Sequence, residues 1–281
     1  MMKAKPSSPR AKAVTPTRKS GRPIKAVLFD YGGTLFKSTR PWAEVKAEGL
    51  NSAYALLSRS GLRISADAFI ELHDSVFVKY AKQEAREDRD IADRIKYQEI
   101  VDSLFPDLPR ARRARLAAAA NRAFWEAATK SYPLRKGARR SLEHLKSRGV
   151  RMAVVSNHHD YDSLVGHLEE SGIISHFEVV LASEREGVRK PNTEMFVRSL
   201  EALGVEREDA LFVGDSPKHD IVGARAAGII TVLIDDGEEA DGRSTSVGVA
   251  GPEGIPDYVI KDLLALREIV DSLRAFDTAR R

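Results

Sequence analysis

Six short apolar segments are the feature of this chain that most narrows its possible folds. Each is three to six residues long and lacks the alternation of a half-buried strand, as expected for a parallel sheet buried on both faces. The segments cover residues 26–29, 152–155, 179–181, 210–213, 229–234 and 258–260. Helical patterns lie before, between and after the last five, over residues 136–148, 160–171, 192–203, 220–227 and 261–273. This alternation predicts an α/β fold with a Rossmann-like parallel sheet and helices on both faces.

One long stretch, residues 37–133, interrupts the alternation. Its apolar positions recur at three- and four-residue spacing, and it contains no convincing strand. Because this stretch follows the first strand directly, we expect an inserted all-helical cap domain above the carboxyl ends of the strands, where open parallel sheets bind ligands. The core domain is then predicted to comprise residues 24–36 and 134–281, with a long surface loop over residues 235–254.

The basic residues of the chain are concentrated at its start. The first 25 residues carry eight Lys or Arg and no acidic residue, and residues 1–23 contain almost no large apolar side chains, so we predict a disordered basic tail. The rest of the chain has 37 basic and 41 acidic residues and is therefore mildly acidic. Nucleic acid is not an expected partner except through the tail.

The sequence lacks several features that particular chemical sites and cellular compartments require. The chain has no cysteine, which excludes disulfides, thiolate nucleophiles and cysteine-bound metals. No apolar window has membrane-spanning length, and the start of the chain lacks the pattern of a signal peptide. We therefore expect a cytoplasmic protein that does not bind membranes; nothing in the sequence indicates its oligomeric state.

Polar residues accompany the ends of several predicted strands. Asp30 follows the first strand, Ser156 and Asn157 follow the second, Asp215 follows the fourth, and Lys190 leads into a helix. A carboxylate at the tip of a buried strand is held rigidly and partly dehydrated, which favours nucleophilic attack. A serine hydroxyl can donate to a phosphoryl oxygen, and a lysine can neutralise charge that develops on the transferred group. These side chains predict a site for phosphoryl transfer.

The carboxylates among these residues also form a candidate metal site. Asp30 and Asp215, with Asp220 as a further candidate, supply oxygen ligands of the kind that Mg²⁺ prefers. A Mg²⁺ ion at such a position can bridge the nucleophile and a phosphate. We therefore expect Mg²⁺ as the cofactor.

These segments, in this order, resemble the four signature motifs of the haloacid dehalogenase superfamily. The motifs read DYGGT from residue 30, SN from residue 156, RKP from residue 189 and GDSPKHD from residue 214. The resemblance covers residues 25–273, and the helical insertion resembles the small cap that some members carry after the first motif. It implies a phosphatase-like hydrolase that acts on a small phosphorylated metabolite.

The resemblance also implies a role for individual residues. The implied catalytic and phosphate-binding residues are Asp30, Ser156, Asn157 and Lys190. Asp30 would be the nucleophile that becomes an aspartyl-phosphate, and Thr34 would support the first loop. The implied metal ligands are Asp30, the carbonyl group of Gly32, Asp215 and Asp220.

One position departs from the phosphatase pattern. Phosphatases of this superfamily carry a second aspartate, the general acid and base, two positions after the nucleophile, where this chain has Gly32. Loss of a positioned proton donor is expected to cost on the order of 10² to 10⁴ in rate for a poor leaving group. The enzyme could then be a slow phosphatase that prefers acidic leaving groups, or could take its acid from the cap, His158 or His159.

Three other functions stay open at this point. The superfamily's 2-haloacid dehalogenases lack the second aspartate, but they need no metal and have typically lost the carboxylates of the fourth motif. Phosphonoacetaldehyde hydrolases use magnesium and a cap lysine that forms an imine, for which the candidates are Lys37, Lys46, Lys79, Lys82 and Lys96. A module that binds a phosphorylated ligand without hydrolysing it is the third alternative.

Overall fold

The computed structural model describes residues 12–13, 23–87, 89–237 and 251–278. The strands of the described chain form one sheet in the order β1-β7-β6-β5-β2-β3-β4. They are β1 Lys12–Ala13, β2 Ala26–Phe29, β3 Arg151–Ser156, β4 Val179–Ala182, β5 Ala210–Gly214, β6 Ile230–Ile234 and β7 Tyr258–Ile260. Strands β2 to β7 are parallel, and β1 pairs antiparallel with β7 at one edge. The predicted α/β fold with a parallel sheet is confirmed.

Strand β2 lies in the centre of the sheet, and its position determines where a ligand can bind. Phe29 at its carboxyl end is in register with Val154 of β3 on one side and with Val213 of β5 on the other. The chain continues from β3 towards one edge and from β5 towards the other, so the strand order reverses around β2. Open sheets leave a crevice at the carboxyl ends of strands at such a reversal.

Helices cover both faces of the sheet. The α-helices of the whole described chain are α1 Trp42–Arg59, α2 Ala66–Glu87, α3 Asp93–Leu104, α4 Arg110–Thr129, α5 Ala138–Ser147, α6 Tyr161–Glu170, α7 Ser183–Glu186, α8 Glu194–Leu203, α9 Val222–Ala226 and α10 Leu266–Thr278. On β2, Val27 and Phe29 belong to one hydrophobic cluster with residues of α5 and α10, whereas Ala26 and Leu28 belong to another with residues of α8. Alternate residues of a strand point to opposite faces, so β2 contributes to both clusters.

Helices α1 to α4 occupy the stretch between β2 and α5 and share a hydrophobic cluster of their own. Leu57, Phe69, Tyr97 and Phe124, one from each of the four helices, are buried in it. Tyr132 packs against this cluster and also against that of the sheet, so it lies where the two groups of helices meet. The division of the chain into a cap over 37–133 and a core remains a prediction.

The structure shifts several predicted helix boundaries. The helix predicted over 220–227 begins earlier, with a π-helical turn at Pro217–Ile221 before α9, because Pro217 suits a first helical turn and the Ser216 hydroxyl accepts the His219 N–H. The helix predicted over 261–273 begins as a 3-10 turn at Leu263–Ala265 and continues as α10. Helix α7 was not predicted from the sequence.

Two sequence predictions fall mostly outside the described residues. Of the tail over residues 1–23 the structure describes 12–13, which form β1, and Pro23; the remainder lies outside. Residues 238–250 of the predicted surface loop also lie outside. Among the described residues, none of the helices has both the length and the apolar character needed to cross a membrane.

Candidate active site

A pocket of about 480 Å³ opens at the carboxyl ends of the central strands. Its floor contains Asp30 after β2, Ser156 at the end of β3 and Asp215 after β5. Trp42 at the start of α1 and Trp125 in α4 line its opposite side. Residues predicted from four separated motifs therefore meet in one cavity, which the helical insertion partly covers.

Asp30 is a buried carboxylate with one oxygen held in place. Its backbone N–H donates to the Val213 carbonyl at 2.9 Å, which aligns it with β5. Its Oδ1 accepts a hydrogen bond from Lys190 Nζ at 2.6 Å, while Oδ2 is buried and has no hydrogen-bond partner among the described residues. Burial raises the pKa of Asp30 to about 6, although the charge of Lys190 opposes this shift.

Lys190 lies between two carboxylates. Its Nζ is 2.6 Å from Asp30 Oδ1 and 2.7 Å from Asp220 Oδ1, and the residue is 1% exposed. Burial by itself lowers the pKa of Lys190, but the charges of Asp220 and Asp30 outweigh burial and hold the pKa above its ordinary value. Lys190 is therefore a fixed positive charge beside the predicted nucleophile.

Asn157 positions this lysine. Its side-chain Oδ1 accepts the Lys190 backbone N–H at 2.7 Å, and its Nδ2 donates to the Lys190 carbonyl at 2.9 Å. Asn157 was predicted to bind phosphate, but its side-chain amide is occupied by the backbone of Lys190. Ser156, its neighbour, is 3% exposed and lines the pocket beside Asp30.

Asp220 organises the loop after β5. Its Oδ2 accepts the backbone N–H groups of Asp215 at 3.1 Å and Ser216 at 2.9 Å. The loop packs so closely that a Cβ on Gly33, whose φ is +89°, would lie 2.1 Å from Asp215 Oδ2. Glycine at position 33 thus lets the loop after β2 approach the loop after β5.

The three aspartates can hold a metal ion. One carboxylate oxygen from each of Asp30, Asp215 and Asp220 lies within 4.8 Å of the other two. The donors are all oxygen, which suits a hard divalent cation. The buried Asp30 Oδ2, without a hydrogen-bond partner among the described residues, fits the same interpretation, because a buried carboxylate oxygen is costly to leave unsatisfied.

Gly32 lines the pocket, and the structure leaves space at this position. A Cβ built on Gly32 would meet no heavy atom within 4 Å, in contrast to the crowded Gly33. The site therefore has room for a larger side chain at position 32, although the sequence has glycine there.

The histidines in the pocket differ in their surroundings. His158 is buried against the rings of Tyr31 and Trp125, and its Nδ1 accepts the Asp160 backbone N–H at 3.1 Å. Burial lowers the pKa of His158 to about 3, so its ring is neutral near pH 7. His159 also lines the pocket, and its side chain is 28% exposed.

Two polar residues of the first loop are buried. The Tyr31 hydroxyl lies 2.5 Å from His167 Nδ1, and burial raises the pKa of this tyrosine. Thr34 is fully buried, and its Oγ1 has no hydrogen-bond partner among the described residues.

The rim of the pocket contains charged residues that the sequence analysis did not connect. Asp236 Oδ2 lies 2.6 Å from Lys37 Nζ and 2.5 Å from an Arg135 guanidinium nitrogen, and Arg135 also donates to the Gly33 carbonyl. Lys37 and Arg135 flank the helical insertion in sequence, so this ion cluster lies where the chain enters and leaves it. No local pattern could have shown it, since the three residues are far apart in the chain.

Of the five lysines considered as imine-forming residues, all of which are described, Lys37 alone lines the pocket. Lys96 is buried with Glu84 and Asp93, at 3.0 and 3.1 Å. Lys46 and Lys79 pair with acidic residues of the insertion, and Lys82 is exposed.

Comparisons with known proteins agree with this geometry. A family model described as a haloacid dehalogenase-like hydrolase matches residues 24–228. Ribulose-1,5-bisphosphate 5-phosphatase of Halopiger xanaduensis is 30% identical over 87% of this chain and 98% of its own length. Glyceraldehyde 3-phosphate phosphatase of Methanopyrus kandleri is 28% identical over 89% of this chain and 97% of its own length.

A solved structure shows the same fold. The 2-haloacid dehalogenase of Pseudomonas syringae pv. Tomato DC3000 superposes with a TM-score of 0.67, at 19% identity over 89% of this chain and 99% of the other. At that identity the similarity concerns the fold alone. The match to the family over residues 24–228, together with a 30% identical relative along nearly its whole length, shows that this chain belongs to the haloacid dehalogenase-like hydrolase family.

Proposed function

We propose that this hydrolase is a Mg²⁺-dependent phosphatase that forms an aspartyl-phosphate on Asp30. The observation that carries the proposal is the environment of Asp30. Lys190 holds one of its oxygens, while the other is buried in a pocket with two further carboxylates and has no hydrogen-bond partner among the described residues. A rigid, dehydrated carboxylate beside a fixed cation suits attack on a phosphoryl group.

Each neighbouring residue has a task in this proposal. Lys190 neutralises charge on the phosphoryl oxygens as the bond to Asp30 forms. The Ser156 hydroxyl, at the end of β3, donates to the same group. Asp30, Asp215, Asp220 and the Gly32 carbonyl would hold Mg²⁺, which when bound screens the charge between the attacking carboxylate and the phosphate. Asn157 acts indirectly, because it holds Lys190.

The helical insertion supplies the other wall of the site. We propose that residues 37–133 act as a cap over a core made of 24–36 and 134–281. Trp42, Trp125 and Tyr132 are partly buried on the pocket wall and reduce the access of water to the phosphoryl group. Trp125 Nε1 is buried and lacks a hydrogen-bond partner among the described residues.

The pocket size and the relatives support a small phosphorylated metabolite as the substrate. A volume of about 480 Å³ accommodates a compact phosphate ester. Two relatives are named as phosphatases of ribulose 1,5-bisphosphate and of glyceraldehyde 3-phosphate. The retained Asp215 and Asp220 disfavour a metal-free dehalogenase, and the pairing of Lys37 with Asp236 disfavours an imine-forming hydrolase. Gly32 favours one second candidate, a module that binds phosphate esters without turnover.

The first test is hydrolysis of p-nitrophenyl phosphate and acetyl phosphate, with Mg²⁺ or with EDTA, by the protein and its Asp30→Asn variant. We expect turnover that needs Mg²⁺ and is lost in the variant. Exposed Asn51 provides a matched control, because Asn51→Asp exchanges the same two groups, a carboxamide and a carboxylate, at a residue that does not line the pocket. Phosphate binding without release would favour the binding module, and release that survives Asp30→Asn would contradict the proposal.

A further inference from the structure

The phosphatase proposed above lacks an acid at position 32, yet an alkoxide leaving group needs a proton. We propose that His159 is the catalytic acid and base of this site and takes the role that an aspartate at position 32 would have. The inference rests on the proposed function, because it assigns a further residue to the same reaction. It depends on the position of His159, on the surroundings of the other histidines and on contacts with α3.

His159 lies between the phosphoryl site and the helical insertion. It is three residues beyond Ser156, and its side chain lines the same pocket as Asp30 and Gly32. Its imidazole is 28% exposed, so water and a bound ester can reach it. The space beside Gly32, where a Cβ would meet no heavy atom within 4 Å, leaves the region next to the nucleophile accessible to a leaving group.

Tyr31 and the other histidines of the pocket are less suitable. His158 uses Nδ1 as an acceptor for the Asp160 N–H and is enclosed by Tyr31 and Trp125. The Tyr31 hydroxyl is engaged with His167. His219 adjoins Asp220, and its Nδ1 is buried. His159 is the remaining histidine among the described residues that line the pocket.

Helix α3 holds His159 from the side of the insertion. The backbone N–H of Asp93, the first residue of α3, donates to the His159 carbonyl at 3.3 Å. The Asp93 carboxylate is buried, and its Oδ1 lies 3.9 Å from His159 Nδ1, beyond hydrogen-bond distance. With Nδ1 on the side of Asp93, Nε2 is the nitrogen assigned to the substrate.

Charged side chains from both sides of the pocket surround the His159 imidazole. A carboxylate oxygen of Glu84 and one of Asp90 lie within 4.8 Å of a ring nitrogen of His159, and Asp93 adds a third carboxylate. Lys96 pairs with Glu84 and Asp93, and Arg189 pairs with Asp90 at 2.9 Å. Three acidic side chains and two basic ones thus lie on this side of His159.

Atoms and charge balance in both steps of the proposed reaction. Asp30 Oδ2 attacks phosphorus, and the bond from phosphorus to the ester oxygen breaks. The electron pair of that bond stays on the ester oxygen. This oxygen takes the proton from His159 Nε2 and leaves as an alcohol. Neutral His159 next accepts a proton from water as the water oxygen attacks the phosphorus of the aspartyl-phosphate. The bond from phosphorus to Asp30 Oδ2 breaks, and its electron pair returns to the carboxylate. Inorganic phosphate, the Asp30 carboxylate and protonated His159 result.

The test compares leaving groups in His159→Asn, with His176→Asn as the matched control outside the pocket. A nitrophenolate leaves without a proton, whereas the alkoxide of β-glycerophosphate needs one. We expect kcat for β-glycerophosphate to fall by about 10²-fold, and kcat for p-nitrophenyl phosphate by less than about tenfold. Equal losses on both esters, or none on either, would overturn the inference.

A second variant separates a chemical role from a structural one. In the double variant Gly32→Asp/His159→Asn, an aspartate enters the open space at position 32, and we expect most of the activity on β-glycerophosphate to return. No return, in a protein that still hydrolyses p-nitrophenyl phosphate, would also overturn the role of His159. Failure of the proposed function is distinguishable, because wild-type protein would then show no turnover that Asp30→Asn abolishes.

Discussion

Asn157 holds both backbone polar groups of Lys190: the Lys190 N–H donates to Asn157 Oδ1 at 2.7 Å, and Asn157 Nδ2 donates to the Lys190 carbonyl at 2.9 Å. This contact joins the loop after β3 to the segment before α8. Since Lys190 Nζ touches both Asp30 and Asp220, a shift of its backbone alters the charge beside Asp30, the proposed nucleophile.

Replacement of this amide should therefore affect catalysis and stability together. We expect Asn157→Ala to lower the free energy of unfolding by about 1–3 kcal/mol, because a backbone donor and acceptor of Lys190 lose their partner. The displaced lysine should lower kcat by about 10²-fold. Urea unfolding and p-nitrophenyl phosphate turnover measure the two effects, with exposed Asn51→Ala as the control. Wild-type kcat in Asn157→Ala would show that the clamp does not position Lys190.

Two adjacent glycines should respond in opposite ways to alanine. At Gly33, with φ +89°, a Cβ would lie 2.1 Å from Asp215 Oδ2, whereas at Gly32 a Cβ meets no heavy atom within 4 Å. We expect Gly33→Ala to destabilise the fold by about 1–3 kcal/mol and to abolish turnover, since the two loops must separate. Gly32→Ala should unfold at the wild-type urea concentration. A destabilised Gly32→Ala would contradict the open space at this position.

Buried His158 should make the protein sensitive to acid. Its pKa is about 3 in the folded protein and near 6.5 when unfolded, so the unfolded chain binds an extra proton between these values. The contribution of neutral His158 is complete above pH 6.5 and is lost as pH falls towards 3, by up to about 1.4 kcal/mol per pH unit. His158→Asn keeps an acceptor for the Asp160 N–H and cannot be protonated there. Urea unfolding from pH 7 to pH 4 should show wild type losing stability relative to this variant; parallel curves would contradict it.

The ion pair between Asp90 and Arg189 should stabilise the junction between the helical insertion and the sheet. The Asp90 side chain is fully buried, and Arg189, 30% exposed, is the residue before Lys190. We expect Arg189→Met to cost about 3 kcal/mol, at the low end for a buried pair because the arginine is partly exposed. Adding Asp90→Asn should recover part of this loss, since no buried carboxylate then lacks its cation. A double-mutant cycle in urea measures the coupling; additive effects would mean that the pair is energetically negligible.

The sequence by itself determined the architecture of this protein. Apolar runs such as Ala26–Phe29 and Ala210–Gly214 are buried on both faces, so their pattern reports strands directly, and each observed boundary lies within one residue of its prediction. The proximity of the motif residues could also be predicted, because the carboxyl ends of parallel strands share one edge of a sheet. These residues are Asp30, Ser156, Lys190 and Asp215, and they line one pocket.

Tertiary structure alone decided the contacts between distant segments. The amide of Asn157 on the Lys190 backbone, the cluster of Lys37, Arg135 and Asp236, and the contact of Asp93 with His159 join residues that no period or motif relates. The partners and the burial of these side chains arise only when the distant segments pack together. Local sequence specifies which groups are available at the strand ends, whereas tertiary packing decides which side chains those groups contact and how deeply they are buried.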